Sequence, residues 1–343
     1  MFSDCRGFTR RDFLKVTAAA TCGIAFGGTA TYWINRLKQP EAGVAIYKAD
    51  TYEADLVDLI RRGLENYPKV IGAAKGGRVV LKPNMVEYVE AKRVNTHPAV
   101  VAAAIEVFRS IGAREVIVAE GPGHRRDTEL LLDRSGIGEA VALARVPFVD
   151  LNLDSIRPVP LVGNYSKLGR LFLPETVLAA DLLVSMPKLK THHWAGATLS
   201  MKNMFGTVPG TKYGWPKNTL HWHGLQESIV DVTLAARPGF AIIDGIEGME
   251  GDGPIHGDTV RSGVIVMGNN PAAVDATAMR VMGLYPERIP YLQMMLKHGG
   301  TISAARIRQF GEPIAAVQQD FSVLEWFSIL KKPSYFNRLI MGS

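Results

Sequence analysis

Cationic and aromatic side chains are concentrated in one stretch of the chain, residues 182–226, that contains no Asp or Glu. The lysines, histidines and tryptophans of this stretch are Lys188, Lys190, Lys202, Lys212, Lys217, His192, His193, His221, His223, Trp194, Trp215 and Trp222. Ammonium donors, titratable rings and aromatic faces without carboxylates suit the binding of an anion. The stretch therefore predicts a site for a small anionic ligand.

Further polar side chains follow predicted strands at 78–81, 115–119 and 240–243. In open α/β sheets, ligands bind at the carboxyl ends of the strands, so these side chains are expected to meet the acid-free stretch there. The predicted substrate-binding residues are Lys82, Asn84, Lys190, Lys202, Asn203, Asp244 and Glu247.

Histidines in two of these turns suggest acid–base chemistry on the bound anion. An imidazole titrates near neutral pH, so His192 or His124 is expected to move the proton, with Glu120 or Asp244 orienting the ring. The predicted catalytic residues are His192, His124, Lys188 and Glu120. We therefore favour an enzyme, although the sequence does not distinguish an isomerase, a lyase or a metal-assisted reaction.

Two alternatives remain open at this point. His221 and His223 are two residues apart and would share one face of an extended segment, so they predict ligands for a divalent metal. A protein without catalysis of its own, assisting a membrane-associated redox system, would instead use the tryptophans of the stretch as an aromatic wall.

Charge and cysteine content exclude some classes of function. Residues 1–38 contain six of the 39 basic residues and two of the 33 acidic ones, so the remainder has a net charge of only +2. Nucleic-acid binding requires a basic surface on the folded domain, and we therefore exclude it. Both cysteines, Cys5 and Cys22, also lie in that terminal region, so the rest of the chain cannot ligate an iron–sulfur cluster through its own thiolates.

The N-terminal residues 1–38 resemble a twin-arginine export signal. Arg10 and Arg11 precede Phe13-Leu14-Lys15, and an uncharged apolar run follows from residue 16 to 34. This resemblance implies recognition by the twin-arginine translocation machinery and a periplasmic or other extracytoplasmic location. Because the run is close to the ~20 residues that span a bilayer, an uncleaved anchor is the alternative to a removed signal.

The remaining sequence alternates predicted strands and helices, which indicates an α/β fold. We expect a mixed or mostly parallel sheet with helices on both faces, or an arrangement in two lobes. The α/β domain is assigned to residues 44–300, with a helix at 196–205 and loops at 208–218 and 244–254. Residues 301–343 form an amphipathic extension that lies on a membrane surface or packs on its own domain.

Several motifs taken together resemble the family called domain of unknown function 362, over roughly residues 76–285. They are Leu81-Lys82-Pro83-Asn84, Thr96-His97-Pro98, Glu120-Gly121-Pro122-Gly123, Pro187-Lys188-Leu189-Lys190-Thr191-His192, Ser200 with Lys202 and Asn203, Asp244-Gly245-Ile246-Glu247-Gly248, and Gly268 with Asn270, Pro271 and Asp275. Many members of that family carry a ferredoxin-like module with cysteine-ligated clusters. This chain has no cysteine there, so the resemblance does not imply electron transfer through clusters of its own.

The turn Gly123-His124-Arg125 is also similar to one in the N-terminal domain of nickel-pincer lactate racemases. That similarity implies proton abstraction from a small hydroxy acid.

Overall fold

The computed structural model describes residues 41–90, 92–123 and 127–332. The predicted export signal, His124 and the last eleven residues of the C-terminal extension lie outside these ranges. Within them, no helix combines the length and apolarity that crossing a membrane would require.

Ten strands form one mixed sheet, and two more form a separate antiparallel ribbon. The strands are β1 (Ala42–Lys48), β2 (Arg78–Pro83), β3 (Glu115–Glu120), β4 (Phe148–Asp150), β5 (Ile156–Pro160), β6 (Arg170–Pro174), β7 (Leu182–Met186), β8 (Lys188–His192), β9 (Gly196–Thr198), β10 (Phe240–Glu250), β11 (Asp258–Gly268) and β12 (Ile307–Gly311). The main sheet has the order β12-β1-β11-β10-β7-β2-β3-β4, with β8 and β9 added beside β10, and β5 pairs with β6.

The connecting segments are helical, and several helices are only one turn long. The α-helices are α1 (Leu56–Glu65), α2 (Pro68–Ala74), α3 (Pro98–Ser110), α4 (Thr128–Arg134), α5 (Ile137–Ala144), α6 (Glu175–Leu178), α7 (Ser200–Asn203), α8 (Gly210–Tyr213), α9 (Asn218–Trp222), α10 (Leu225–Ala236), α11 (Pro271–Val281), α12 (Pro290–Met295) and α13 (Ile314–Val317). Short 3-10 helices occupy Met204–Thr207, Pro286–Arg288, Leu296–His298, Ala304–Arg306 and Glu325–Lys331.

The central strands are buried on both faces because a hydrophobic core lies on each side of the sheet. Along β2, Val80 belongs to one core, whereas Val79 and Leu81 belong to the other. Side chains of a strand alternate between faces, so helices α1, α3 and α5 cover one face and helices α10, α11 and α12 cover the other. This arrangement confirms the predicted α/β class with helices on both faces, built on one sheet in place of two lobes.

The direction in which successive strands are added to the sheet reverses at β2, so that later strands lie on both sides of it. β3 and β4 follow on one side of β2, and β7 and β10 lie on the other, with every neighbouring pair in this group parallel. A reversal of this kind opens a crevice at the carboxyl ends of the strands, where ligands bind in doubly wound folds. Lys82 and Glu120 lie at these strand ends.

Two segments differ from the predicted elements because each pairs with a strand that the local sequence does not indicate. Residues 244–254, predicted as a loop, continue β10 to Glu250 and form a hairpin with β11. A Cβ atom on Gly248 would stand 2.8 Å from the carbonyl oxygen of Leu189, so glycine allows β8 to lie against β10. In the segment 196–205, predicted as a helix, β9 precedes the single turn of α7.

The sheet also extends beyond the domain boundary predicted at residue 300. Strand β12 pairs in parallel with β1, from Ala42 opposite Ile307 to Ile46 opposite Gly311. The first part of the predicted C-terminal extension is therefore an edge strand of the same sheet.

A buried ion pair joins strands β8 and β10 on this sheet. Lys188 Nζ lies 2.7 Å from Asp244 Oδ2, and neither side chain is exposed to solvent. The same ammonium donates to the Tyr52 hydroxyl at 2.8 Å, and Asp244 also accepts the backbone N–H of His97 at 2.9 Å. The pair therefore connects the segment after β1, the start of α3 and the hairpin of β10.

We expect Lys188→Met to destabilise the fold. The substitution leaves the Asp244 carboxylate buried without its counter-ion, which costs about 3–5 kcal/mol of the free energy of unfolding. Chemical denaturation measures this loss. Lys48→Met, which removes a half-exposed lysine 3.8 Å from Glu312, is the control and should change stability by less than about 0.5 kcal/mol. A Lys188→Met protein as stable as the wild type would contradict a structural role for this pair.

Candidate functional site

A cavity of about 320 Å³ lies at the carboxyl ends of β2 and β3, beneath the acid-free stretch. Its charged and titratable lining residues are Lys82, Glu120, His192, His193, Lys202, Lys217, His221 and His256. Other lining residues are Asn84, Met85, Val86, Trp194, Thr198, Asn203, Phe205, Gly206, Pro216, Pro254 and Ile255. A few converging polar groups in an otherwise apolar wall are typical of a small-molecule site.

A buried ion pair between Lys82 and Glu120 forms the floor of the cavity. Lys82 Nζ donates to the Glu120 carboxylate, to the Pro83 carbonyl oxygen at 2.9 Å and to Asn203 Oδ1 at 3.1 Å. An ammonium has three donors, so these acceptors use all of them. Burial lowers the pKa of Lys82, and the neighbouring Glu120 opposes that shift. Lys82 therefore contributes charge to the cavity and has no hydrogen left to donate to a ligand.

Asn203 holds this floor to the neighbouring strands. Its Nδ2 donates to the Lys82 carbonyl oxygen and to Ser185 Oγ, each at 3.1 Å, and its Oδ1 also accepts from Asn84 Nδ2 at 3.2 Å. Helix α7 presents Asn203 because the Asp275 carboxylate accepts the backbone N–H groups of Ser200 and Met201 at the helix N-terminus.

Two buried polar atoms in the cavity wall lack partners among the described residues. They are the side-chain oxygen of Asn84, a residue 6% exposed, and the hydroxyl of Thr198, a residue 4% exposed. A buried polar group without a partner costs about 1–3 kcal/mol, so unsatisfied atoms mark places where a bound molecule would complete the hydrogen bonding.

Lys217 approaches the cavity from the loop before α9. Its Nζ donates to the carbonyl oxygens of Gly121 at 2.7 Å and Phe205 at 3.0 Å, which leaves one N–H without a partner in the described structure. Burial lowers the pKa of Lys217 to about 7, against the attraction of Glu120. Lys217 thus ties the turn after β3 to the loop after α7. Its ammonium form keeps one donor for a ligand, whereas its neutral form uses both of its hydrogens on these two carbonyls.

Lys202 differs from the other lysines of the site because no described residue accepts a hydrogen bond from it. Its Nζ lies 4.1 Å from the centroid of the Phe205 ring. Burial, followed by repulsion from Lys82, lowers the pKa of Lys202 to about 8. Its three donors are therefore available to a molecule in the cavity.

His192 presents a neutral N–H group to the cavity. Its Nδ1 accepts the backbone N–H groups of Trp194 at 3.0 Å and Ala195 at 3.2 Å. Burial, together with the positive charge of Lys202, lowers the pKa of His192 well below its usual value, so the ring is neutral at pH 7. In a neutral ring whose Nδ1 is an acceptor, the proton is on Nε2.

His221 has the opposite tautomer. Its Nδ1 lies 3.1 Å from the carbonyl oxygen of Lys217, which can only accept, so Nδ1 carries the proton. Burial and the charge of Lys202 lower the pKa of His221 as well. His221 Nε2 consequently offers a lone pair, whereas His192 Nε2 offers a hydrogen.

The predicted metal ligands do not converge. The histidine segment is not extended, because Asn218–Trp222 forms α9 with His223 at its end. His221 lines the cavity, while His223 Nδ1 bonds to the Ser166 carbonyl oxygen at 3.0 Å. In the ranges that the structure covers, no group of three or more His, Cys, Asp and Glu side chains is arranged to hold a metal ion. These residues therefore do not fit a metal site, contrary to the interpretation of the His-x-His spacing.

Seven of the predicted site residues line the cavity: Lys82, Asn84, Glu120, His192, Lys202, Asn203 and His221. Four others lie away from it, in structural contacts. Lys188 and Asp244 pair with each other, Glu247 accepts from Arg93 at 2.6 Å, and Lys190 donates to the carbonyl oxygens of Val94 and Pro254. His124 lies outside the described residues.

The sequence prediction omitted Lys217, Thr198 and Phe205 from the site. Lys217 belongs to the acid-free stretch, but it follows Pro216 in a segment without helical or strand periodicity. The sequence pattern therefore does not predict where Lys217 lies relative to the sheet. The sequence signal that points to Lys217 is its place among the lysines of the acid-free stretch.

Gly206 allows the chain to pass directly over the ion pair. A Cβ atom at this position would stand 1.9 Å from Glu120 Oε1 and 2.5 Å from Lys82 Nζ. We expect Gly206→Ala to push the pair apart, to lower stability by about 1–3 kcal/mol as overpacking does, and to disturb the cavity floor. Denaturation curves measure the loss. Gly72→Ala in α2, where a Cβ atom would meet nothing within 4 Å, is the control and should be neutral or slightly stabilising. Equal stability of the two variants would contradict the close approach.

Comparison with known proteins identifies a relative by sequence and a distant structural neighbour. A thylakoid-associated protein of Synechocystis sp. is 27% identical over 276 residues, which cover 77% of this chain and 82% of that protein. The structure of the lactate racemase apoprotein from Thermoanaerobacterium thermosaccharolyticum aligns with a TM-score of 0.39 and 16% identity, covering 60% of this chain and 51% of that chain. The chain thus spans about half the length of the racemase, and a similarity of this size supports no conclusion about activity.

The family profile described as a domain of unknown function (DUF362) matches residues 79–280. These residues include β2, β3, β7, α7 and β10, and hence the strand ends and loops that surround the cavity. The match covers more than half of the chain, which therefore belongs to the DUF362 family.

Proposed function

We propose that the protein is an enzyme that binds a small anion in this cavity and acts on it by acid–base chemistry. The observation that carries the proposal is an excess of positive charge. Lys82, Lys202 and Lys217 line the cavity with Glu120 as the one carboxylate among its lining residues. Because Glu120 is paired with Lys82, the charge of the other two lysines is left for a ligand.

The two histidine tautomers supply complementary proton chemistry. His221 Nε2 has the lone pair of a general base, and its lowered pKa keeps that lone pair free near neutral pH. His192 Nε2–H can donate to an oxygen on which negative charge develops, without itself being charged. Lys202 and the remaining donor of Lys217 would hold the anionic group between them.

The test of this proposal is the binding of small carboxylates and phosphate to the purified protein by calorimetry. We expect Lys202→Met to weaken binding at least ten-fold, because the anion loses a charged donor that nothing else uses. Lys212→Met is the matched control. Lys212 Nζ lies 4.7 Å from the Phe172 ring, as Lys202 lies over Phe205, but Lys212 does not line the cavity, so its affinity should equal that of the wild type.

Binding that is equally weak in both variants, or that is absent from the wild type, would contradict an anion site. Binding without turnover of any carboxylate or phosphate ester would instead favour a ligand-presenting protein.

We also propose that the protein works outside the cytoplasm, exported by the twin-arginine machinery. The support is the sequence of residues 1–38, with Arg10 and Arg11 before an uncharged run. Replacement of both arginines by lysine should leave the protein in the cytoplasmic fraction, with a loss of exported protein of about ten-fold or more by immunoblotting. Lys38→Arg is the control and should not alter export. Undiminished export of the twin-lysine variant would refute the twin-arginine route, and absence of the wild-type protein from the exported fraction would refute this location.

A peripheral role at a membrane is the second candidate, and exposed tryptophans favour it. Trp194, Trp222 and Trp326 are 60%, 80% and 67% exposed. Trp194 lines the cavity and its ring contacts that of His221, while Trp326 Nε1 donates to the carbonyl oxygen of His193, another lining residue. Tryptophan is enriched at membrane–water interfaces, and the relative from Synechocystis is described as thylakoid-associated. The same fractionation separates the two candidates, since a peripheral protein sediments with membranes and is released by Trp222→Ala.

A further inference from the structure

We propose that Lys202 is an amine nucleophile that forms a Schiff base with the carbonyl carbon of the bound anion. This inference rests on the proposed function and narrows the substrate class to small carboxylates that also carry a ketone or aldehyde group.

The hydrogen-bonding of the lysines around the site singles out Lys202. Lys82 has three acceptors, and Lys188, Lys190 and Lys217 have two each, so attack by any of these nitrogens would break contacts that hold strands and loops together. Lys202 has no acceptor among the residues described, and its nitrogen reaches the cavity from the one-turn helix α7. A covalent bond at this nitrogen therefore breaks no hydrogen bond between described residues.

The surroundings of Lys202 also favour the reactive free amine. Glu120, the one carboxylate among the described lining residues, favours the ammonium form, but it is paired with Lys82, and burial together with repulsion from Lys82 outweighs it. The Phe205 ring covers one side of the group, and Lys82 repels its charge. With a pKa of about 8, on the order of a tenth of Lys202 is neutral at pH 7, compared with less than about one part in a thousand for an ordinary lysine.

The two histidines supply the proton transfers and the hydrogen bond that Schiff-base formation requires. Neutral Lys202 attacks the carbonyl carbon, a C–N bond forms, and the carbonyl π electrons move to oxygen, where His192 Nε2–H can donate a hydrogen bond. His221 Nε2 takes a proton from the new ammonium and returns it to that oxygen. The product is a carbinolamine, which still carries one N–H proton. His221 Nε2 transfers that second proton to the hydroxyl as the C–O bond breaks and the C=N bond forms, so the oxygen leaves as water with both protons of the original amine. The sum is amine plus carbonyl giving imine plus water, with no oxidant or reductant required.

The rest of the cavity fits a carboxylate beside such a carbonyl. The ammonium form of Lys217 has one free donor, and the unpartnered hydroxyl of Thr198 can donate as well. The Asn84 side-chain oxygen can accept from a hydroxyl of the substrate. A volume of about 320 Å³ is at the lower end of ligand pockets, which limits the substrate to a small molecule. These features together describe a short 2-oxo carboxylate.

The test is reductive trapping on the full-length protein. Glyoxylate or pyruvate is added with sodium borohydride, which converts the imine to a stable secondary amine, and peptides are analysed by mass spectrometry. We expect one dominant adduct, on Lys202, and at least ten-fold less labelling in Lys202→Arg, which keeps the positive charge but is not a nucleophile. Lys212→Arg should be labelled at Lys202 like the wild type.

Lactate, which has no ketone or aldehyde group for an amine to attack, serves as the binding probe that separates the two proposals. If lactate binds and neither oxo acid gives an adduct on Lys202, Schiff-base formation is overturned while the anion site stands. If neither lactate nor the oxo acids bind, the proposed function itself fails.

The pH dependence gives a second measurement on the wild-type protein alone. Below pH 8 Lys202 is mostly an ammonium, which binds anions, and above pH 8 it is mostly the amine, which attacks carbonyls. The trapping rate should therefore rise with a midpoint near pH 8. Lactate affinity should fall between about pH 7 and pH 8, because Lys217, with a pKa of about 7, loses its charge as well. Trapping with a midpoint above pH 10, as for surface lysines, would contradict the proposal.

Discussion

The buried ion pair between Lys82 and Glu120 is the interaction on which the site depends. An ion pair out of water is stable only if its remaining hydrogen-bonding groups are satisfied. The Pro83 carbonyl and Asn203 do this for the ammonium, while the backbone N–H groups of Gly121 and Met85 donate to the Glu120 carboxylate. These partners come from two strand ends and from α7, so the pair fixes the position of Lys202, one residue before Asn203, relative to the sheet.

Neutralisation of Glu120 by Lys82 also determines the chemistry around it. The one carboxylate that lines the cavity is already engaged, and Lys202 and Lys217 lie close enough to Lys82 for its charge to lower their pKa values. The cavity thus holds amines of reduced basicity next to two neutral imidazoles of opposite tautomer. Such perturbed groups gathered in one crevice are a property of functional sites more than of structural ion-pair networks.

Much of the fold was accessible from the sequence because buried parallel strands have a strong local pattern. Arg78–Pro83, Glu115–Glu120 and Leu182–Met186 are continuous apolar runs ending in polar turns, and each is a strand of the central sheet. The segment 188–198 was not accessible, since β8 and β9 are defined by pairing with β10 and with each other, which is a long-range property. Local composition there, with glycine, lysine and histidine, is typical of a loop.

The site could be predicted only in part, because local patterns locate strand ends but do not show which side chains meet across the sheet. Strand ends identified Lys82, Asn84 and Glu120, whereas the separate roles of Lys188 and Lys202 depend on what lies across the sheet from each. Asp244 reaches Lys188 from 56 residues away, and no sequence pattern indicates that Lys202 has no such partner. Counting charges finds a cationic stretch, but only the acceptors around each nitrogen distinguish a structural lysine from an available one.

The unpartnered groups of the cavity link the stability of the protein to its ligand. The Asn84 oxygen and the Thr198 hydroxyl are buried without hydrogen-bond partners among the described residues, which costs folding free energy that a bound ligand returns. A ligand present at 100 times its dissociation constant stabilises a folded protein by about 2.7 kcal/mol. In a cell, where unfolded molecules are removed by proteolysis, the amount of this protein would then follow the supply of its ligand.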